Sequence, residues 1–411
     1  MKILQVCKKF PFPVKDGEGV AVRALAQGLV EAGCTVDLLS FNTTKHWVEK
    51  PQEADLPHYR NISSCDLDNE VKPLEVGLSF FKKGSYHVHR FDNEGFAGQL
   101  KALLQLHNYD AVILETSILA LYIPVIRKNS SAVVALRAHN LEYEIWQRIG
   151  EKESLLLRPL YGILARRLKR FERKWINEAD ILLPITDRDG ERFVKDLGFR
   201  GDQHTVRVGY NAGRHREKHW APLQTLPFAI SFIGSLDWAP NQEGLKWFLE
   251  EVWPNLHKTF PDLEFHIAGR KTPPEILNLK LPNVTVHGEV KDSAEFLERF
   301  PMTVAPILSG SGTRVKILDA MVSGRVVLTT EMGLEGIDAT DRKEVLVCPS
   351  PSAFVDQLKY VKRDPSKLDE LSLSAQVFIQ LNFDFARIGY GLAGQIRDKK
   401  LEKEKENVLK G

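Results

Sequence analysis

GSGTRVKILDAMVSG, residues 310–324, decides the reading of this chain, because it joins a glycine-rich bend to two cations, one carboxylate and a helix start. The run MTVAPIL before it (302–308) reads as a buried strand and RVVLTT after it (325–330) as the next, which makes a β-loop-α-β unit. Its loop then lies at the carboxyl end of a parallel strand, where open α/β sheets bind ligands. Gly310 and Gly312 let the backbone approach an anion, and a helix starting near Thr313 turns its free N–H groups and positive dipole end toward it. Arg314 and Lys316 add full charges. Lys316, Asp319 and Ser323 share one polar stripe, while Ile317, Ala320, Met321 and Gly324 suit packing against the sheet. One turn beyond the phosphates, the Asp319 carboxylate is placed to accept two hydrogen bonds from vicinal ribose hydroxyls. From these residues alone two readings stand level: a site for a nucleoside diphosphate, and an ordinary amphipathic helix with solvated charges.

Working outward, FAISFIGS (228–235), EFHIAGR (264–270) and NVTVHGEV (283–290) read as further strands of the same half, with helices such as 243–252 between some of them. The polar stretch GRHREKHWAPLQTLP (213–227) reads as an interdomain linker. Before it lies a second α/β alternation. A strand at 2–7, a glycine-bearing loop, a helix over about 20–32 ended by Gly33 and a strand at 35–41 form a right-handed βαβ start. A polar, irregular stretch covers 42–90, followed by a helix over 93–107, the strand AVILETS, a helix over 118–128 and the strand AVVALRAH. A long helix comes next, and ADILLPIT (179–186) and HTVRVGYN (204–211) supply more strands. The loop DGEGV (16–20) lacks the full G-x-G-x-x-G fingerprint, and Asp37 is the one acid of its strand, at the start rather than the end, so a nicotinamide enzyme is not expected.

The 411 residues, 43% hydrophobic and 27% charged, suffice for two substantial α/β domains. Apolar runs are of strand length, the N-terminus enters a strand directly, and neither a transmembrane span nor a secretory signal is read, so the expected location is the cytoplasm. Cys7, Cys34, Cys65 and Cys348 lack C-x-x-C spacing and fit reduced structural thiols. A net charge of +2 gives no support for nucleic acid as a partner.

Five segments together carry a family likeness: 9–40, LRAHNLEYEIWQR (136–148), 165–189, FIGSLDWAPNQEGLKWFLEEVWP (232–254) and APILSGSGTRVKILDAMVSGRVVLTT (305–330). In these the chain resembles the family-four glycosyltransferases of the GT-B fold. The resemblance implies two Rossmann-like, doubly wound domains facing across a cleft. These are residues 1–212, joined by a crossover helix over about 384–402, and residues 228–383. It also implies a retaining transfer of a hexose-like sugar from a UDP- or GDP-sugar to a glycan or lipid-linked acceptor, in surface polysaccharide or glycoconjugate biosynthesis. No cofactor and no metal are required in such enzymes.

Position by position, Asp319 matches the second glutamate of the family's E-x7-E motif, which holds the ribose, and the first glutamate falls on Ser311. The cations usual in the loop after the first C-domain strand fall on Ser235, next to Gly234, and on Pro240. Thr313, Arg314 and Lys316 are therefore expected to bind phosphate instead, with Arg270 as a third cation. Gly17, Glu18 and Gly19 match the glycine loop that approaches the donor phosphate. His139 matches a histidine beside the donor sugar, and with Asp319 it is assigned to the catalytic centre. Glu115, Asn140 and Arg90 are carried as acceptor-side candidates.

Two basic-aromatic stretches remain. FFKKGSYHVHRF (80–91) reads as a cover for the acceptor or as a surface hairpin. In 155–175 an apolar stripe (Leu164, Leu168, Phe171, Trp175) reads as core, while the cations read either as a solvated face or as a peripheral contact with anionic membrane. Two competing functions keep the same fold: a non-catalytic sugar-nucleotide-binding subunit, which Ser311 favours, and a nucleotide-sugar epimerase or hydrolase.

Overall fold

KILQVC forms strand β1 (Lys2–Cys7), and its neighbours in sequence pack to opposite faces: Ile3 joins one buried cluster with Val36 and Leu38, Leu4 the other with Leu39 and Phe41. That alternation, apolar on both sides, is the mark of a parallel sheet covered by helices on each face. In the computed structural model, which describes residues 1–13, 17–70, 85–155, 157–211, 222–309 and 313–410, the chain divides into two units. One is Met1–Gly209 with Phe385–Gly411, the other Tyr210–Asp384.

The first unit holds seven strands in the order β3-β2-β1-β4-β5-β6-β7, every pair parallel. They are β1, β2 (Thr35–Thr43), β3 (Ile62–Leu67), β4 (Ala111–Leu114), β5 (Val133–Ala138), β6 (Ile181–Pro184) and β7 (Asp202–Gln203). The strand order reverses between β1 and β4, so the carboxyl ends of those two strands open a crevice of the kind that binds ligands. Helix α1 (Gly17–Glu31) follows β1; α2 (Glu142–Lys152) and α3 (Arg158–Trp175) form a hairpin after β5. The second unit has six parallel strands in the order β10-β9-β8-β11-β12-β13, with its reversal between β8 (Ala229–Ile233) and β11 (Met302–Ala305). Strands β9 (Glu264–Ala268), β10 (Val284–Gly288), β12 (Val326–Thr329) and β13 (Leu346–Val347) complete it, and α4 (Val315–Val322) joins β11 to β12. The last helix, α5 (Phe385–Lys410), belongs to the first unit and packs on α1. The two helices meet through glycines: a Cβ on Gly28 would stand 2.0 Å from the Phe385 carbonyl oxygen, and one on Gly389 2.1 Å from Gly28. Larger residues there would push the helices apart.

Several local expectations change. HTVRVGYN is not a strand; only Asp202–Gln203 pairs with β6. Beyond it the Val206 N–H still donates to the Pro184 carbonyl, but Pro184 has no N–H to give back, so the ladder stops. The irregular stretch 42–90 contains β3, whose sequence ISSCDL shows no apolar alternation because it is an edge strand. The helix expected over 118–128 is a 3₁₀ segment (Ser117–Tyr122) followed by an α-helix (Ile123–Asn129), with Pro124 in the first turn where its missing N–H costs nothing. The 243–252 helix is longer, running from Ala239 to Thr259 with a π-helical turn at Phe248–Val252. Helix α4 starts at Val315, two residues after Thr313. Of the linker expected at 213–227, residues 213–221 lie outside the described residues. So do residues 80–84 of the 80–91 stretch, the rest of which includes a short helix at Tyr86–His89.

Candidate functional site

The two strand-order reversals gather the expected site residues into two groups, one in each unit. In the second unit, β8 ends in the turn Gly234-Ser235, and Gly269 after β9 lies so close that a Cβ on it would meet the Gly234 carbonyl oxygen at 2.5 Å. This contact brings Arg270 onto the turn, where its guanidinium donates to the Ser235 hydroxyl at 3.1 Å. The cation missing from the loop sequence therefore arrives from the neighbouring strand. Ser235 in turn donates to Asp237 (2.5 Å), which also pairs with Lys271 at 3.1 Å.

Asn241 links this turn to α4: its Nδ2 donates to the Ser235 carbonyl (2.8 Å) and its Oδ1 accepts from Lys316 Nζ (2.8 Å). The Lys316 ammonium also lies 5.0 Å from the centroid of the Phe232 ring. Burial and the nearby Arg314 charge push the Lys316 ammonium down to about 7. Arg314 pairs with Glu335 at 3.8 Å, and Thr313 Oγ1 is buried without a hydrogen-bond partner among the described residues. One turn along α4, burial alone lifts the Asp319 carboxyl up to about 7. Among the described residues no donor or cation meets that side chain. A carboxylate so placed is costly in the free protein and is stabilised by donors from outside. Gly310, Ser311 and Gly312, the loop itself, lie outside the described residues.

In the first unit, Glu115 follows β4 and His139 follows β5, side by side at the carboxyl edge. Glu115 is wholly buried, and its two oxygens accept from Gln5 Nε2 (2.5 Å), Arg137 Nη1 (3.3 Å) and His139 Nε2 (2.9 Å). Tyr59 donates to the same Gln5 at 2.7 Å. Burial works to raise the Glu115 pKa, but Arg137 and the His139 hydrogen bond outweigh it and hold the carboxyl below the ordinary range. Because Glu115 is ionised, His139 Nε2 donates the proton of the bond between them. Enclosed and occupied in this way, Glu115 does not reach an acceptor hydroxyl. It orients His139.

Glu18, in the first turn of α1, pairs with Lys9 (3.0 Å) and Lys8 (3.5 Å), and Lys8 also reaches Glu142 at 3.7 Å. Burial would raise the Glu18 carboxyl, yet Lys8, Lys9 and His139 bring it down to about 2. Gly17 and Gly19 lie in the same turn. Lys8 and Lys9 escaped the sequence reading; their signal was a pair of cations directly after the first strand, at the end where ligands bind. Arg90 donates to the Asn69 carbonyl (2.8 Å) and approaches His87 Nδ1 (3.2 Å), and the other His87 nitrogen faces Glu142 at 3.9 Å. Asn140 is half-buried beside His139. Among the described residues no three His, Cys, Asp or Glu side chains are grouped to hold a metal ion, and no helix is long and apolar enough to cross a membrane.

Residues 227–364, which carry the Gly234 turn, Arg270 and α4, match the family model described as Glycosyl transferases group 1. A Klebsiella pneumoniae protein named as an uncharacterized 44.6 kDa protein in the cps region is 23% identical over 293 residues, 68% of this chain and 72% of its own. Among solved structures, sucrose-phosphate synthase from Thermosynechococcus elongatus superposes with a TM-score of 0.67 at 15% identity, covering 97% of this chain and 99% of its own. Anabaena HepE in complex with UDP superposes with a TM-score of 0.67 at 12% identity, covering 97% of this chain and 100% of its own. The fold is GT-B, with two Rossmann-like parallel-sheet domains.

Proposed function

We propose that the protein is a retaining, metal-independent glycosyltransferase that moves a sugar from a nucleotide-sugar to a glycan or lipid-linked acceptor in polysaccharide biosynthesis. The observation that carries this reading is Asp319, a half-buried carboxylate without a side-chain partner among the described residues, one helical turn from the half-buried Lys316. Ribose hydroxyls supply Asp319 with donors that none of the described residues gives it. A diphosphate supplies the negative charge that returns Lys316 to its ordinary, protonated state. Arg270, held on the Ser235 hydroxyl, and Arg314 add charge to stabilise the leaving nucleoside diphosphate as negative charge develops on it. These cations take the part that a divalent ion plays elsewhere.

In the other unit, His139, held by its hydrogen bond to Glu115, offers its ring to a sugar hydroxyl. The similar HepE, solved with UDP-glucose, supports a uridine nucleotide, and the cps-region relative supports a polysaccharide product. Titration calorimetry with UDP, GDP and UDP-glucose tests the assignment. Saturable binding is expected, and Asp319→Asn should weaken it by about 1–3 kcal/mol while the protein stays folded. Absence of binding by any of the three, or unchanged affinity in the folded variant, removes the donor site. A transferase releases its nucleoside diphosphate in step with glycosylated acceptor, whereas release without acceptor would assign a hydrolase.

A further inference from the structure

The α2–α3 hairpin has no part in the chemistry above, yet it carries a distinctive surface. Its turn and the adjoining helix ends expose large aliphatic side chains: Leu155 is 79% exposed, Leu157 43%, Ile149 39% and Ile163 36%. From Ile163 the outer face of α3 continues through Arg166, Arg170 and Arg173, three and four residues apart and all exposed. The one acid of α3, Glu172, does not offset them. It faces inward, fully buried, and accepts from Ser117 Oγ (2.9 Å) and from the Glu142 and Tyr143 N–H groups (3.1 Å each), so it is spent on the start of α2. Two acids do stand near the turn, Glu151 and Glu153. Arg158 lies beside them and donates to both of their backbone carbonyls, at 3.0 and 3.2 Å.

The hairpin is rigid enough to present this surface. Trp146 on α2 stacks on Tyr161 of α3 with ring centroids 6.0 Å apart, and Gly150 leaves room for Tyr161, whose Cβ a side chain there would meet at 2.6 Å. Beneath, Leu168, Phe171 and Trp175 pack into the core of the unit. On the outward face Arg166 donates to the Gly162 carbonyl and Arg173 to that of Asp196 (3.1 Å each), bonds that hold the two side chains without neutralising their charge.

We propose that this hairpin is a docking surface for an anionic lipid bilayer, with Leu155 and Leu157 entering the headgroup-acyl boundary and the Arg166-Arg170-Arg173 row lying on the headgroups. An aliphatic tip continuous with an acid-free cationic row is the composition that interfacial helices use. A nucleic acid would meet the cations but leave the leucines in water. The inference stands apart from the glycosyl-transfer reading, since it needs no ligand in either unit.

Flotation of the full chain with vesicles of phosphatidylcholine alone, and of phosphatidylcholine with about 30% phosphatidylglycerol, tests it. Binding to the anionic vesicles is expected to exceed that to the neutral ones at least about tenfold, and to fall when salt is raised. The variants Leu155→Ser with Leu157→Ser, and Arg166→Glu with Arg170→Glu, should each weaken it at least about tenfold, because each cation near such a surface is worth roughly fivefold. Thermal unfolding and UDP affinity of both variants should match the unaltered chain, which keeps the outcome separate from that of the donor site. Equal flotation with both vesicle types, undiminished flotation of both variants, or tighter binding to duplex DNA than to anionic vesicles would overturn the proposal.

Discussion

Each unit sets a carboxylate at the carboxyl edge of its sheet, Glu115 fully buried and Asp319 half-buried, and the two are handled in opposite ways. Glu115 is met by three donors from its own unit, so its charge is neutralised and hydrogen-bonded before any ligand arrives. Asp319 is half-buried beside the corresponding reversal of the second sheet with no donor aimed at it among the described residues, and its carboxyl rises toward neutrality. Burial of an acid is thus not itself the mark of a binding site. A satisfied acid is scaffold, and one left without donors is open to a partner from outside.

The strongest test removes both acids in turn. Glu115→Ala strands the fully buried Arg137 guanidinium and should lower the free energy of unfolding by about 3–5 kcal/mol. Asp319→Ala removes a group that pays a desolvation cost without a compensating bond among the described residues, so the apoprotein should be as stable as before or more so. Equal losses for the two variants by urea denaturation would show that Asp319 has a partner of its own, and the contrast between the units would collapse.

Their pH dependence should differ in sign. Asp319, lifted from an ordinary 3.8 to about 7, holds its proton more tightly when folded; its contribution to stability is full below about 3.8 and is lost as pH rises through about 7. Glu172, lifted to about 8 by burial and by Glu142, acts in the same direction. Glu115, held below 4.5, contributes above that value and loses its effect as the solution is made more acid. Denaturation midpoints of Asp319→Asn between pH 4 and 8 should therefore fall less than those of the parent. A parallel fall would place the Asp319 pKa near its ordinary value.

How much of this was open to sequence reading follows from which forces are local. The β-loop-α-β unit around 310–324 was legible because apolar runs and glycines punctuate it, and both doubly wound sheets followed from the repetition of that pattern. Edge strand β3 was not, since an edge has no covering layer to impose alternation, and neither was the end of β7, which Pro184 on the partner strand decides. Asp319 and Lys316 were legible as one stripe of a single helix. The arrival of Arg270 at Ser235 was not, because residues 35 apart in sequence meet there across β8 and β9. Glu172 could have been read better: it lies four residues after Leu168, on the apolar stripe rather than among the cations, and that placement signals a buried acid with its own donors.

The smallest expected effect concerns Asn241, which stands between the two kinds of residue: its own hydrogen bonds are satisfied, but it serves one that is not. It fixes the Lys316 ammonium to the β8 turn through bonds of 2.8 Å on each side of its amide. If that link is what aims Lys316 at a diphosphate, Asn241→Ala should weaken UDP binding by about 1 kcal/mol, the worth of one hydrogen bond, with little change in stability. Lys316→Ala should cost more, since it removes the charge itself. The two losses should not add: once Lys316 is gone there is nothing for Asn241 to aim, so the double variant should bind UDP as weakly as Lys316→Ala alone. Additive losses in calorimetry would instead give Asn241 a contact of its own with the nucleotide, making the β8 turn part of the binding surface and not merely its support.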